Sequence, residues 1–188
     1  GNTKQIGEEI IKDLVKSDFN FKAISLRYFN PIGAHHSAMI GELPNGVPQN
    51  LVPYITQTAV GIREELTVFG NDYSTSDGSC LRDYIHVVDL AKAHIKSLDK
   101  LMTISENNYY DTFNIGTGKG TSVLELINCF EAVTGNKLNF KIGERRKGDV
   151  AECFADISKA NKFLNWKSEL SVEDSLLSSW NWEKNINN

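Results

Sequence analysis

The sequence predicts an α/β fold, and three observations predict it. Stretches with apolar residues at helical spacing alternate along the chain with short runs rich in β-branched and aromatic residues. Gly, Pro, Asn and Asp clusters punctuate the boundaries between them. No internal repeat and no low-complexity tract suggests a solenoid or a disordered tail instead.

The elements follow in order. Ile6, Ile10 and Leu14, with Ile11 and Val15 offset by one, form a helical stripe opposite Glu8, Glu9, Lys12 and Asp13. This helix is already running within a few residues of Gly1, so the sequence is expected to start inside a longer chain. Ser17 to Asn20 make a polar break. Phe21 to Tyr28 read as a buried strand around Ala23, Ile24 and Leu26, ending in loop residues Asn30-Pro31 and Gly33. Residues 34–49 read as one long loop, of the kind that is usually functional or mobile. A helix is expected over 50–61, a strand over Leu66 to Phe69, a polar loop over Gly70 to Ser79, and a strand over Arg82 to Val87. Asp89 is expected to N-cap a helix running to about Leu101.

Tyr110 to Ile115 form a further expected strand, followed by Gly116-Thr117-Gly118-Lys119-Gly120. Ser122 and Glu125 have the spacing of a capping box, opening a helix to about Thr134. A strand over Leu138 to Ile142, a charged turn from Arg145 to Asp149, and helices near 158–164 and 172–184 complete the chain.

Composition excludes several function classes. The 188 residues are 40% hydrophobic with a net charge of -4. No run of about 18 apolar residues is present, so no membrane partner is expected. No basic segment followed by an apolar one opens the sequence, so no secretion signal is read. Lys and Arg are scattered rather than striped, which argues against nucleic acid. Cys80, Cys129 and Cys153 are widely spaced and odd in number, which favours reduced thiols and a cytoplasmic location.

Taken singly, the polar motifs stay open. The glycine run is G-x-G-x-G rather than G-x-G-x-x-G, so a plain strand-to-helix turn is favoured over a phosphate cradle. Arg145-Arg146 with Asp149 reads either as a solvated turn or as an anion clamp. Arg82-Asp83-Tyr84 could be a strand-end ion pair. His35, His36, His86 and His94 lack carboxylate or Cys partners at ligand spacing, so no metal is expected. No Ser-His-Asp or Cys-His arrangement can be argued, and Cys129 falls on an apolar helix face.

The order of the motifs is more informative. Asn2-Thr3-Lys4 is followed by Leu26-Arg27-Tyr28-Phe29-Asn30-Pro31, then Asn50-Leu51-Val52-Pro53-Tyr54, then Val68-Phe69-Gly70-Asn71-Asp72-Tyr73. Next come Arg82-Asp83-Tyr84-Ile85-His86-Val87, Phe113-Asn114-Ile115-Gly116-Thr117-Gly118 and Arg145-Arg146-Lys147-Gly148-Asp149. This series resembles the UDP-glucose 4-epimerases of the extended short-chain dehydrogenase/reductase family, from Gly1 almost to Trp182. The resemblance implies the C-terminal half of such an enzyme. Segments 1–33 and 82–118 would join a Rossmann-like NAD-binding sheet, and 34–81 and 119–188 would form most of a smaller UDP-sugar-binding part.

The resemblance also implies roles. Lys4 matches the lysine of the family's Y-x-x-x-K pair, whose tyrosine would directly precede Gly1. Lys4, Tyr28 and Pro31 would meet the NAD cofactor. Phe29 and Asn30 would line the sugar and diphosphate. Asn50 and Leu51 would contact diphosphate and uridine, and Leu66, Thr67 and Phe69 would form the uracil slot. Arg82 and Arg146 would clamp the diphosphate, with Tyr84 beside them and Asp149 on a ribose hydroxyl. Cys153 matches a position where a small residue goes with room for an N-acetyl group. The implied reaction interconverts UDP-galactose and UDP-glucose by transient oxidation at C4, and extends to the N-acetylated pair. A homodimer is expected of the full-length protein, and inactivity of these residues alone. The competing readings are a UDP-sugar decarboxylase, a dTDP-sugar dehydratase, or a non-catalytic UDP-sugar-binding fragment.

Overall fold

A computed structural model describes residues 1–17 and 20–187. The expected polar break falls largely on residues 18 and 19, outside the described residues. The elements run α1 (Asn2–Ser17), β1 (Lys22–Tyr28), β2 (Asn30–Ile32), α2 (Leu51–Ala59), β3 (Leu66–Phe69), β4 (Leu81–Arg82) and β5 (Tyr84–His86). They continue with α3 (Val87–Thr103), β6 (Tyr109–Ile115), β7 (Thr121–Ser122), α4 (Val123–Thr134), β8 (Phe140–Gly143), β9 (Glu152–Cys153), α5 (Ser158–Leu164) and α6 (Val172–Ile186).

β1 and β6 are parallel, in register from Lys22 opposite Tyr109 to Tyr28 opposite Ile115. The short strands β2 and β5 continue this parallel geometry, with Asn30 opposite Tyr84. β3 and β8 form a second parallel pair. β4 lies between antiparallel β7 and parallel β9. β6 buries Phe113 and Ile115 completely, and Ile24 and Leu26 of β1 pack against the same core.

Two cores hold these layers. One gathers Ile55 of α2, Val68 of β3, Leu126 and Phe130 of α4, and Leu176 and Trp180 of α6. Phe130 meets Trp180 edge-on, with ring centroids 5.8 Å apart. The other packs Ile85, Leu90, Phe113, Ile115, Leu164 and Trp166 between the β1–β6 pair, α3 and α5. Cys129 is half-buried and packs against the first core.

Local differences from the sequence reading have physical reasons. Asn30–Ile32 is a short strand rather than a loop, because it finds β5 as a partner. The expected strand over Arg82 to Val87 divides at Asp83, and Val87 already begins α3. Asp89 is not the N-cap of α3. That role falls to His86, whose ring Nδ1 accepts from Val88 N–H at 3.0 Å. Asp89 lies within the first turn, fully buried, and its Oδ2 accepts from the N–H groups of Glu169 and Leu170, both at 2.8 Å. The capping box of Ser122 and Glu125 forms in both directions.

Loop 34–49 is anchored rather than loose. The Trp182 indole N–H donates to the Glu42 carbonyl at 2.9 Å, and Asn185 Nδ2 donates to the Ala38 carbonyl at 2.8 Å. The Trp182 ring lies so close to Gly41 that a Cβ there would sit 2.3 Å from it. Only glycine fits.

Candidate active-site cleft

A cleft of about 500 Å³ opens where β2, the start of α2, β3, β4 and the 144–150 loop converge. Phe29, Asn30 and Pro31 reach it because they leave β1 at its carboxyl end, the usual place for a ligand in a parallel α/β sheet. Asn50 and Leu51 bring the N-terminus of α2. Asn50 is the N-cap but makes no capping bond with its side chain; its Nδ2 donates to Glu42 Oε1 at 2.7 Å instead. The first-turn N–H groups of α2 thus lack that side-chain partner, and a helix start of this kind favours an anion.

Leu66, Thr67 and Phe69 line one wall from β3. Leu66 is buried, whereas the Phe69 ring is exposed on the cleft. Opposite stand the charged groups. Asp149 lies 3.6 Å from Arg82 Nη2 and 3.3 Å from Arg146 Nε. Arg82 also donates to the carbonyls of Leu81 and Val150, at 2.7 and 2.8 Å, which fixes its guanidinium. Two guanidinium groups held around one carboxylate leave a net positive wall with donors to spare, an arrangement suited to a diphosphate. Tyr84 borders the cleft from the core, and burial holds its phenol proton well above the usual tyrosine range.

Of the residues singled out in the sequence, twelve meet here: Phe29, Asn30, Pro31, Asn50, Leu51, Leu66, Thr67, Phe69, Arg82, Tyr84, Arg146 and Asp149. Three do not line this cleft. Lys4 and Tyr28 line a separate groove between α1 and β1. Tyr28 is the last residue of β1 and is half exposed. Cys153 is exposed on β9, in register with Arg82 but outside the cleft lining. The sequence reading missed Gln49, Tyr54 and Cys80, which also border the cleft. Tyr54 carries the one available signal, an aromatic one turn into an anion-facing helix.

The glycine run is a turn that cradles a protein carboxylate. Asp83 Oδ1 accepts from Thr117 N–H at 2.8 Å, and Oδ2 accepts from Gly118 N–H at 3.0 Å. Among the described residues, no cluster of His, Cys, Asp and Glu could hold a metal ion.

A family model described as GDP-mannose 4,6 dehydratase matches residues 1–178. A UDP-glucose 4-epimerase of Drosophila melanogaster is 51% identical over 183 residues, covering 97% of this chain and 52% of that protein. A Bacillus subtilis UDP-glucose 4-epimerase is 48% identical over 188 residues, covering 100% of this chain and 55% of that protein. The chain therefore spans about half the length of the curated relatives it matches. The crystal structure of the Stenotrophomonas maltophila UDP-glucose 4-epimerase, with bound NAD and formylated UDP-arabinopyranose, superposes with a TM-score of 0.94 at 46% identity. It is covered over 55% of its length by 99% of this chain. The Bifidobacterium longum enzyme, in complex with NAD+ and UDP, gives a TM-score of 0.92 at 45% identity, with 100% and 55% covered.

Proposed function

Because this chain belongs to the GDP-mannose 4,6 dehydratase family, and within it to the UDP-glucose 4-epimerases of the extended short-chain dehydrogenases/reductases, we propose that it is the substrate-binding half of an enzyme interconverting UDP-galactose and UDP-glucose. The observation that carries this reading is the cleft itself. An aromatic slot at Phe69 lies beside a two-arginine wall and a helix N-terminus, the sequence of surfaces that a base, a diphosphate and a sugar require. The relatives near half identity bear 4-epimerase names, which favours this reading over a decarboxylase or a dehydratase.

The chain's own residues divide the work. Arg82 and Arg146 neutralise the diphosphate, Asp149 accepts from a ribose hydroxyl, and Leu66, Thr67 and Phe69 hold the uracil. Asn50 and Leu51 steer the phosphates to the start of α2. Phe29 and Asn30 border the sugar. The residues present fit NAD: Pro31 at the edge of the cleft, with the half-exposed Tyr28 ring and the Lys4 ammonium of the neighbouring groove, would offer an apolar face and a cation for a nicotinamide ribose. NAD supplies a reversible hydride acceptor for sugar C4. Lys4 acts on the tyrosine of the Y-x-x-x-K pair, four residues before it, lowering the phenol's pKa so that it takes the 4-OH proton.

In this reading, segments 1–33 and 82–118 belong to the cofactor-binding sheet, and 34–81 and 119–188 belong mainly to the UDP-sugar part. That tyrosine and the glycine-rich cofactor fingerprint are not among these 188 residues, so the segment alone is inactive. The exposed stripe of Ile6, Ile10 and Leu14 on α1 supports a homodimer of the full-length protein. Free Cys80, Cys129 and Cys153 support a reducing, cytoplasmic setting. No described helix is long and apolar enough to cross a membrane.

The test is conversion of UDP-galactose to UDP-glucose by the full-length protein, alongside calorimetric titration with UDP. Conversion with UDP binding supports the proposal. UDP binding without conversion leaves only the binding role, and failure to bind UDP overturns the reading of the cleft.

A further inference from the structure

Asp83 occupies the junction between β4 and β5 with no exposed surface. Among the described residues, its carboxylate takes four hydrogen bonds, and no cation is among the donors. Oδ1 accepts from Thr117 N–H at 2.8 Å and Thr117 Oγ1 at 2.7 Å. Oδ2 accepts from Gly118 N–H at 3.0 Å and Ala155 N–H at 3.1 Å. The space is shaped to this carboxylate: a Cβ at Gly116 would sit 2.4 Å from Asp83 Oδ2.

The backbone of the same residue reaches in two further directions. Asp83 N–H donates to the Cys153 carbonyl at 3.1 Å, and its carbonyl accepts from Asn30 N–H at 3.0 Å. One residue therefore joins β2, which carries Asn30, to β4, which carries Arg82, and to β9, which carries Cys153. The side-chain bonds hold the 117–118 turn and the segment after β9 against that junction.

We propose that Asp83 is a positioning residue for substrate binding, fixing Asn30 and Arg82 at the spacing that the sugar and diphosphate of the substrate require. This rests on the reading of the cleft as a UDP-sugar site. A buried carboxylate suits the task because each lost donor leaves a buried oxygen one hydrogen bond short with no water to replace it, so the cradle resists partial opening. Asp83 itself touches no reacting atom; its influence passes through Arg82 and Asn30.

The experiment uses the full-length protein and the probe UDP. Thr117→Ala removes one donor from the cradle without altering any cleft-lining residue, and Thr117→Ser restores the hydroxyl. Ser171→Ala, which opens the remote capping box of α6, serves as a control for general destabilisation. Thr117→Ala is expected to weaken UDP binding about fivefold well below its melting temperature. Its KM for UDP-galactose should rise while kcat holds, and Thr117→Ser should recover wild-type affinity. Ser171→Ala should lower melting temperature and leave UDP affinity unchanged. A folded Thr117→Ala variant with wild-type UDP affinity overturns the positioning role, as does an equal affinity loss in Ser171→Ala. Absence of UDP binding in the unmutated protein instead overturns the reading of the cleft on which the role rests.

Discussion

The guanidinium of Arg146 stands over the ring of Phe69, 5.2 Å from its centroid. The charged wall and the aromatic slot are therefore in contact, and the proposed base and diphosphate subsites would share one boundary. Arg146→Ala should remove a charge-assisted contact to phosphate and also free the Phe69 ring. Titration with UDP should show affinity falling about tenfold to hundredfold, as expected for about 1.5–3 kcal/mol per such bond. Arg146→Lys should recover little, because an ammonium lacks the planar fork. Wild-type UDP affinity in either variant would remove Arg146 from the clamp.

Lys4→Met is expected to slow the chemical step in the full-length enzyme far more than it weakens UDP binding. Lys4 lies in the α1–β1 groove, apart from the cleft proposed to hold UDP. Single-turnover kinetics and UDP titration separate the two effects. A collapse of UDP affinity with hydride transfer intact would contradict the role given to Lys4.

Cys153 bears on the choice of sugar. It is exposed on β9 and aligned with Arg82, so a larger side chain would project from the strand beside the clamp. The full-length enzyme is expected to act on the N-acetylated UDP-sugars too. Cys153→Tyr should abolish that activity and largely spare the unacetylated pair, since overlap of about 1–3 kcal/mol gives tenfold or more discrimination. Equal loss of both activities in a coupled assay would rule out a gate at this position.

His86 makes stability sensitive to mild acid. Val88 N–H donates to Nδ1, so the neutral ring carries its proton on Nε2, which faces Ser178 Oγ at 3.2 Å. Burial pushes the His86 pKa below its ordinary value; Lys92 reinforces the shift, and Asp89 and Asp174 oppose it. Protons then bind the unfolded chain more readily than the folded one. Stability from this group is complete above the unfolded value of about 6.5 and declines as pH falls below it, towards the lowered folded value. Asp174 is held below the ordinary carboxylate range by its bonds to Ser171, so it stays ionised through this window. Thermal melting from pH 7.5 downward should show the decline, and His86→Gln should flatten it. An unchanged slope in that variant would assign the acid response elsewhere.

Ala38 is one of two non-glycine residues with positive φ among those described, at 54°. An alanine there costs about 1–2 kcal/mol relative to an unstrained backbone, while glycine gives back about 0.4–1 kcal/mol through the unfolded chain. Ala38→Gly should therefore raise stability by about 0.5–1 kcal/mol. Calorimetry should register this as a rise in melting temperature of about 1–3 °C. A lower melting temperature would mean that the contacts at 38 outweigh the strain.

Much of this was legible in the residues themselves. The helical stripe of α1, the capping box at Ser122 and the alternation of strands and helices are local signals, and each appears where its pattern placed it. The local patterns misplaced the cap of α3, because Asp89 is a good N-cap by composition but was drawn inward by two N–H groups 80 residues away. The same holds for Asn30–Ile32, whose strand character depends on β5. For the cleft, the residue series behind the family resemblance named twelve lining positions. Gln49 and Cys80 carried no motif, since they border the space only through the approach to α2 and to β4, and Tyr54, although it closes the Asn50–Tyr54 motif, was given no role.

The pairing of β1 with β6 sets a schedule for biosynthesis. Ser25 and Tyr110, bonded across these strands at 3.0 Å, are 85 residues apart in the chain. At about 5–20 residues per second, a ribosome needs roughly 4–17 s to deliver the second strand after the first. A parallel pair cannot be closed by a hairpin, so throughout that interval the β6-facing edge of β1 waits without its partner. The nascent chain is thus most in need of chaperone cover while α2, β3 and α3 are being made, and slower elongation lengthens the exposure rather than relieving it.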